Sequence, residues 1–447
     1  MDWTGLPEDL LIEFAVRLTV VDWLRFRAVC TAWRQATDTA SGSGRRPKRE
    51  PPWLMLPGSG ADPTTATFFS FLDGRRRTTG PLPEPAIQSR IWIGSAYGWL
   101  VTADAECTLH LLNPVTGAQL PLPPITTMGH HELLPRTESN DAARFLFHER
   151  SFMAVHGHGV LYAREHYEIT MDKMPLCFLR KAVPLCDPSS GKYFVMMIHG
   201  PHYKLAFARQ GDAKWVTLPS LYLFEDIIPY RGQFYAVTQC GTVLIWEPDG
   251  TTFKSRIIVP GLIEDEDYIY FKQYLAESLD GDLVLTWRKY QSCINYEEEP
   301  DNSASESEDD SQDDNTEYCP EPDPTVRFQV FVLHEGCHGN EWKELHSLGG
   351  AALFIGYNSA VFLSTDGIPG LPPDCIYFTD DLISNAWRRK EEPRDMGVFD
   401  MKDKKIIPMP SVAQDSKNWP PHVWVTPTIL TTASDFLDTH HRKILPN

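Results

Sequence analysis

Hydrophobic positions change their spacing once along this 447-residue chain. From Leu6 to Trp33 they recur at three- and four-residue intervals, as on one face of a helix. Leu10, Leu11, Phe14 and Leu18 form the first such face, and Pro7 suits the first helical turn. Thr19 and Asp22 make a T-x-x-D capping signal for a second helix that carries Leu24, Phe26 and Val29 inward. A short third helix follows, with Cys30 and Trp33 inward and Arg34 at the rim. A unit of about 40 residues has a marginal core of its own. Surplus apolar residues on it are expected to be covered by a partner.

From Trp53 onward the spacing shortens. Brief apolar runs rich in Val, Ile, Phe, Tyr and Trp alternate with Gly, Pro, Asn and Asp, which predicts many short strands. Residues 41–52 (SGSGRRPKREPP) lie between the two textures and read as a linker, flexible at Ser and Gly and stiffened by Pro. A degenerate unit recurs, a Gly followed directly by an apolar strand, at Gly98, Gly159, Gly232, Gly281 and Gly350. Its spacings of 61, 73, 49 and 69 residues keep no strict period. Turn sequences NPVTG (113–117), DPSSG (187–191) and EPDG (247–250) fall between these strands. A W-x-x-L strand recurs at Trp215–Leu218 and Trp342–Leu345.

Repeated multi-strand units that cannot stand alone predict a β-propeller. The fold class is therefore α+β and multidomain: three helices, then an all-β propeller-like domain of about six blades, with five to seven open. Segments 53–74 and 375–426 are available to close the ring, and the competing architecture is a pair of stacked sheets. The expected boundaries are 1–40 for the helical unit, 41–52 for the linker, 53–430 for the β domain and 431–447 for a tail.

Charge sharpens this picture at one place. Residues 297–317 hold eleven acids and no base, so they carry eleven of the nineteen net negative charges and leave only eight to the rest. An insert at 297–324 within the β domain is expected to stay unfolded, because it cannot bury enough surface to order itself. Ser303, Ser305, Ser307 and Ser311 each have an acid three residues later, which makes them candidate phosphorylation sites for acidophilic kinases. Outside the acidic run the chain is still mildly acidic, and its basic run Arg45, Arg46, Lys48 and Arg49 reads as a flexible basic linker or a nuclear import signal. Nucleic acid is therefore not an expected partner.

The remaining motifs remove chemistry from consideration. The nine cysteines contain no C-x-x-C pair, there is no N-x-[ST] sequon, and no apolar stretch reaches membrane-span length. MDWTGLPEDLL lacks the features of a signal peptide, so a cytoplasmic or nuclear location without membrane association is expected. Lys192-Tyr193 after Gly191 fails the phosphate-loop pattern, and G-x-S-x-G does not occur. HEGCH (334–338) has the letters of H-E-x-x-H, a pattern that binds zinc from one face of a helix, but here it follows a strand-like apolar run. His334, Cys337, His338 and His346 read as solvated loop residues, as do His130-His131 and the HGH at 156–158. Asp380-Asp381 reads as a turn cap. No cofactor, metal site or catalytic set is expected.

The run LPEDLL, then RL, then D-x-L-R-x-R-x-V-C-x-x-W-R resembles the F-box motif over Leu6–Arg34. Phe14-Ala15 stands where an Ile-Leu or Ile-Phe pair is usual, and Trp23 where Leu is commoner. The resemblance implies docking on a Skp-family adaptor, and through it on cullin. Leu6, Pro7, Leu10, Leu11 and Phe14 would contact the adaptor. Leu18, Leu24, Val29, Cys30 and Trp33 would hold the helices together. The rest is similar to plant F-box proteins with a kelch-related C-terminal domain of unknown function, through WKELHSLGG (342–350), LP-x-x-CIYFTDD (371–381), DMGVFDM (395–401) and WPPHVWVTP (419–427). What this implies is a non-catalytic substrate-recognition subunit of a Skp/Cullin/F-box ubiquitin ligase that binds an unknown protein target. The alternative is a binding or sequestering protein with a weak F-box.

Overall fold

The computed structural model describes residues 5–429 apart from 59–60, 72, 129–130, 135–143, 155–159, 171–172, 175–177, 188–189, 201–202, 221, 250–251, 262–270, 292–323, 337–338, 382–393 and 411–418. The acidic run, Ser303, Ser305, Ser307, Ser311, Cys337, His338, His130, the HGH at 156–158 and the tail at 431–447 lie outside the described residues.

Three helices open the chain: α1 (Glu8–Ala15), α2 (Val20–Arg27) and α3 (Thr31–Gly42). The T-x-x-D signal acts as expected, since Thr19 Oγ accepts the Asp22 amide at 3.3 Å and so ends the run of unpaired N–H groups at the start of α2. Acidic Glu8 and Asp9 lie in the first turn of α1, where they complement the helix dipole.

The β domain is a six-bladed propeller. Blade 1 contains β1 (Trp53–Leu56), β2 (Thr67–Ser70) and β3 (Arg75–Thr78). Blade 2 comprises β4 (Ile91–Ala96), β5 (Trp99–Ala103), β6 (Leu109–Leu112) and β7 (Gln119–Leu122). A separate three-stranded sheet follows, made of β8 (His131–Leu134), β9 (Arg144–Ala154) and β10 (Val160–Thr170). Blade 3 is β11 (Leu179–Cys186), β12 (Tyr193–His199), β13 (Lys204–Arg209) and β14 (Val216–Thr217). Blade 4 is β15 (Phe224–Tyr230), β16 (Gln233–Thr238), β17 (Val243–Asp249) and β18 (Thr252–Val259). Blade 5 is β19 (Phe271–Glu277), β20 (Leu283–Tyr290), β21 (Thr325–Gly336) and β22 (Gly339–Leu345).

Blade 6 departs from the simple meander. Its strands are β23 (Ala351–Ile355), β24 (Val361–Ser364), β25 (Cys375–Phe378), β26 (Gly397–Asp400) and β27 (Lys405–Pro408), in the spatial order β24-β23-β25-β26-β27. Within it β23 and β25 run parallel, Leu353 opposite Ile376. The last strand, β28 (Val423–Val425), joins β1 with Trp53 opposite Val425, so the two ends of the β domain complete one blade. Among the described residues of the 375–426 segment, VWV alone joins that blade, because CIYF and GVFD belong to blade 6.

The glycine repeat keeps its meaning at three of five positions. Gly98, Gly232 and Gly281 each precede the second strand of a blade, with φ of 82°, 76° and 88° that suit a glycine in a tight turn. Gly159 instead precedes β10 of the additional sheet, and Gly350 precedes the first strand of blade 6. The 73-residue spacing after Gly159 therefore measures an insertion and not a blade.

Adjacent blades bury their faces against each other through aromatic and branched side chains. Trp424 of β28 stands edge-on to Phe354 and Tyr377 of blade 6, and its indole N–H donates to the Ile355 carbonyl at 3.1 Å. Trp215 of blade 3 donates to the Pro123 carbonyl at the end of blade 2, at 2.6 Å. Such contacts make each blade depend on the next.

Candidate functional site

The helical unit places its apolar residues on two sides. Leu11, Ile12, Ala15, Trp23, Phe26, Ala36 and Ala40 form its buried cluster, with Leu6, Leu18 and Trp33 partly buried against it. Phe26 and Trp33 rings lie 4.2 Å apart. Leu10 and Phe14, four residues apart on α1, point out of this core and are 49% and 55% exposed. The remaining exposed large hydrophobics among the described residues, Val29 aside, are scattered: Val216, Tyr222, Ile257 and Ile407. An i,i+4 pair of large apolar side chains left in water is the kind of surface a partner covers.

The residues expected for each role distribute differently from the motif reading. Leu11, expected at the adaptor surface, is 2% exposed and fills the bundle core. Val29, expected inside, follows α2 in the turn before α3 and is 59% exposed. Pro7 is exposed at the N-cap of α1, where its carbonyl accepts the amides of Leu10 and Leu11. Leu24 is half-buried, and Cys30 is the N-cap residue of α3, with φ near −160°. The inward face of α3 was missed, because Ala36, Thr37 and Ala40 are too small to stand out in a hydrophobicity pattern. Thr39 nevertheless ties α3 to α1 by donating to Glu8 Oε1 at 2.7 Å.

Among the described residues of the propeller, Asp380 and Asp381 are engaged with neighbouring side chains. Asp381 accepts from the Tyr274 hydroxyl at 3.2 Å and pairs with Arg288 at 3.4 Å, while Arg288 also pairs with Asp395 at 3.0 Å. Asp380 lies 3.5 Å from Arg394. Asp381 therefore anchors the buried Arg288 of blade 5 to blade 6, and Asp380 pairs with Arg394 within blade 6. Burial pushes the Tyr274 hydroxyl well above its ordinary range, which keeps it a neutral donor to that network.

At the propeller axis, Lys181 of blade 3 and Asp226 of blade 4 form a buried ion pair at 2.5 Å. The second Asp226 oxygen accepts the Leu275 amide of blade 5 at 2.8 Å. Across the axis, the turn after β23 meets blade 2, where the Ser359 amide donates to the Ser95 carbonyl at 2.6 Å. Lys181 also reaches the Gly356 carbonyl at 3.4 Å. A Cβ at Gly356 would lie 2.1 Å from Thr379 Oγ1, and its φ of 150° adds backbone strain for any other residue. Residues 356–359 thus cross the centre of the ring and join blades 2, 3 and 6.

Among the described residues no group of three or more His, Cys, Asp or Glu is placed to hold a metal. No helix among them is long and apolar enough to cross a membrane. Among the described propeller thiols, burial pushes Cys375 and Cys186 up to about 11.

The ends of the acidic insert are fixed. Strands β20 and β21 pair directly, and the Gln291 amide donates to the Pro324 carbonyl at 3.1 Å. The insert therefore leaves and re-enters between neighbouring strands of blade 5.

Comparison with known proteins agrees with this architecture. Residues 3–41 match the F-box domain model, and residues 68–400 match the model described as KIB1-4 beta-propeller. F-box protein SKIP23 from Arabidopsis thaliana is 25% identical over 437 residues, covering 95% of this chain and 96% of that protein. F-box protein KIB4 from the same plant is 23% identical over 293 residues, covering 64% and 69%. The solved WD40 domain of Neurospora crassa Pan2 covers 78% of this chain and 92% of its own, at 13% identity and a TM-score of 0.28, too low to carry an argument. The chain is thus a plant F-box protein that belongs to the KIB1-4 β-propeller family.

Proposed function

We propose that this protein is the substrate-recognition subunit of a Skp/Cullin/F-box ubiquitin ligase. The observation that carries the reading is the exposed Leu10 and Phe14 pair on α1, within a segment that matches the F-box, while Leu11, Ile12 and Ala15 beside it hold the bundle together. A Skp-family adaptor covers that pair and connects it to cullin. The propeller binds a protein target. Its role is to hold a target lysine near a charged ubiquitin-conjugating enzyme, which raises the effective concentration without any chemistry by this chain. The cytoplasm and nucleus, where such ligases work, are its compartments.

Proximity labelling in plant cells tests this reading. Wild type is compared with Leu10→Asp/Phe14→Asp. The expected result is that the same propeller-bound proteins are labelled by both, but carry ubiquitin and turn over only with wild type. Equal ubiquitination and equal half-lives of every labelled protein would contradict it.

A further inference from the structure

We infer that the F-box is locked onto the propeller as one rigid unit, with Glu50 as the positioning residue of the junction. The lock does not rest on the function proposed above.

The segment after α3 reads in the sequence as a linker, flexible at Ser and Gly and stiffened by Pro. Instead it is tied back onto the helices at several points. The Lys48 amide donates to the Leu18 carbonyl at 2.9 Å. Arg45 pairs with Glu13 of α1, and Arg46 donates to the Ser41 carbonyl at 2.6 Å. Glu50, only 4% exposed, accepts the Val20 amide at 3.0 Å. That amide is one of the unpaired donors at the start of α2, so the carboxylate serves as a remote cap. Three residues later the chain enters β1. One short, twice-anchored segment therefore joins the two domains.

Two apolar contacts bridge the same junction from other parts of the chain. Val21 of α2 packs against the propeller cluster that contains Trp53, Phe68 and Trp92. Ile429, four residues beyond β28, packs against the helical cluster. The polypeptide enters and leaves the propeller beside the F-box, and both passages touch it. Asp73 and Arg77 of the β2–β3 hairpin lie near Glu50, so that hairpin closes the third side.

Strand register fixes which propeller face this is. Trp53 opposite Val425 and Ser70 opposite Arg75 put the start of β1, the end of β28 and the β2–β3 turn at one end of blade 1. The β4–β5 turn joins them there, since a Cβ at Gly98 would lie 1.9 Å from the Thr428 side chain. The β1–β2 and β20–β21 connections fall on the opposite face, because each begins where its strand runs away from this end. The F-box thus occupies one face, and the opposite face, with the base of the acidic insert, is turned away from it at a set distance.

Limited trypsinolysis of the full-length protein, with no adaptor added, tests the lock. Arg45, Lys48 and Arg49 are exposed cleavage positions, and cutting there requires the segment to leave its anchors. The account expects wild type to be cut there at least about a hundredfold more slowly than a free peptide of residues 41–52. Glu50→Ala/Val21→Asp should accelerate cutting at least about tenfold, whereas Glu50→Gln, which retains an acceptor for the Val20 amide, should stay close to wild type. Wild-type cutting as fast as the free peptide overturns the lock, as do equal slow rates in wild type and the double variant. The wild-type comparison decides even where the double variant does not fold. Because no adaptor is present, failure here leaves the ligase reading standing, and failure of the ligase reading leaves the lock standing.

Discussion

At the scale of residues, two neighbours on α1 have opposite roles. Leu11 is buried in the bundle and Leu10 lies in solvent. Truncating a buried leucine costs about 2–5 kcal/mol, whereas most surface substitutions lie within about 0.5 kcal/mol. Leu11→Ala is therefore expected to loosen the F-box helices, and Leu10→Ala to leave them intact, in hydrogen exchange of the α1 amides. Equal protection in the two variants would mean that the helix is rotated from the orientation described. The motif located both residues, but it could not say which faced inward. Helical periodicity groups Leu10, Leu11 and Phe14 within one broad stripe, and only the packing of Trp23 and Ala36 against it divides that stripe.

Glu50 adds a pH dependence at the same scale. Burial pushes its carboxyl above the usual range, and the nearby Asp22 and Asp73 act in the same direction, while the Val20 amide and Arg77 oppose it. A folded-state pKa above the unfolded one means that the stabilisation is complete at low pH and is lost as pH rises through the folded value. The junction is thus expected to be tightest below the ordinary carboxylate range and to loosen as pH rises through the raised Glu50 value, with no further Glu50-dependent change above it. Glu50→Gln should flatten that dependence, read as tryptic cutting after Lys48 or Arg49 corrected for the intrinsic pH profile of the enzyme on the free peptide. A junction that tightens as pH rises would contradict this assignment.

At the scale of elements, the Lys181–Asp226 pair connects blades 3, 4 and 5 where the inner strands converge. Removing one partner of a buried ion pair leaves the other charge unpaired and costs about 3–5 kcal/mol. Asp226→Ala is expected to lower the thermal midpoint of the propeller by several degrees, and Lys181→Met/Asp226→Leu to recover much of the loss. If the double substitution were no better than the single one, the pair would not be the origin of the effect. Little of this was legible in the sequence. Lys181 and Asp226 are ordinary charged residues in strands, and their meeting depends on ring closure between blades 45 positions apart. The turn glycines were legible because their chemistry is local. The parallel β23–β25 pairing was not, since an intervening strand, β24, has the composition of any other.

At the scale of the whole molecule, the chain consists of an F-box fixed to one face of a closed ring. Domain order and strand richness were readable from texture change and recurring turns, while blade number was readable only as about six, with five to seven open. The extra sheet between blades 2 and 3 was not, because Gly159 and its strand imitate a blade. The junction was hidden for another reason. SGSGRRPKREPP has the composition of a tether, and only the capping of α2 by Glu50 makes it a brace. Blade 5 carries the acidic insert between strands that pair on their own, Trp287 opposite Gln329. Deleting residues 297–317 is therefore expected to leave the thermal midpoint of the propeller within a few degrees of wild type, by differential scanning fluorimetry. A collapse of the transition would show that the insert contributes to blade 5.

The central claim is that α1 presents an adaptor-docking surface built on Leu10 and Phe14. Titration of a purified Skp-family adaptor onto the full-length protein by isothermal calorimetry tests it most directly. Wild type should bind, and Leu10→Asp/Phe14→Asp should lose about 100-fold or more in affinity, equivalent to about 3 kcal/mol for two desolvated anchors, with an unchanged thermal unfolding profile. Undiminished binding by that folded variant would contradict the account.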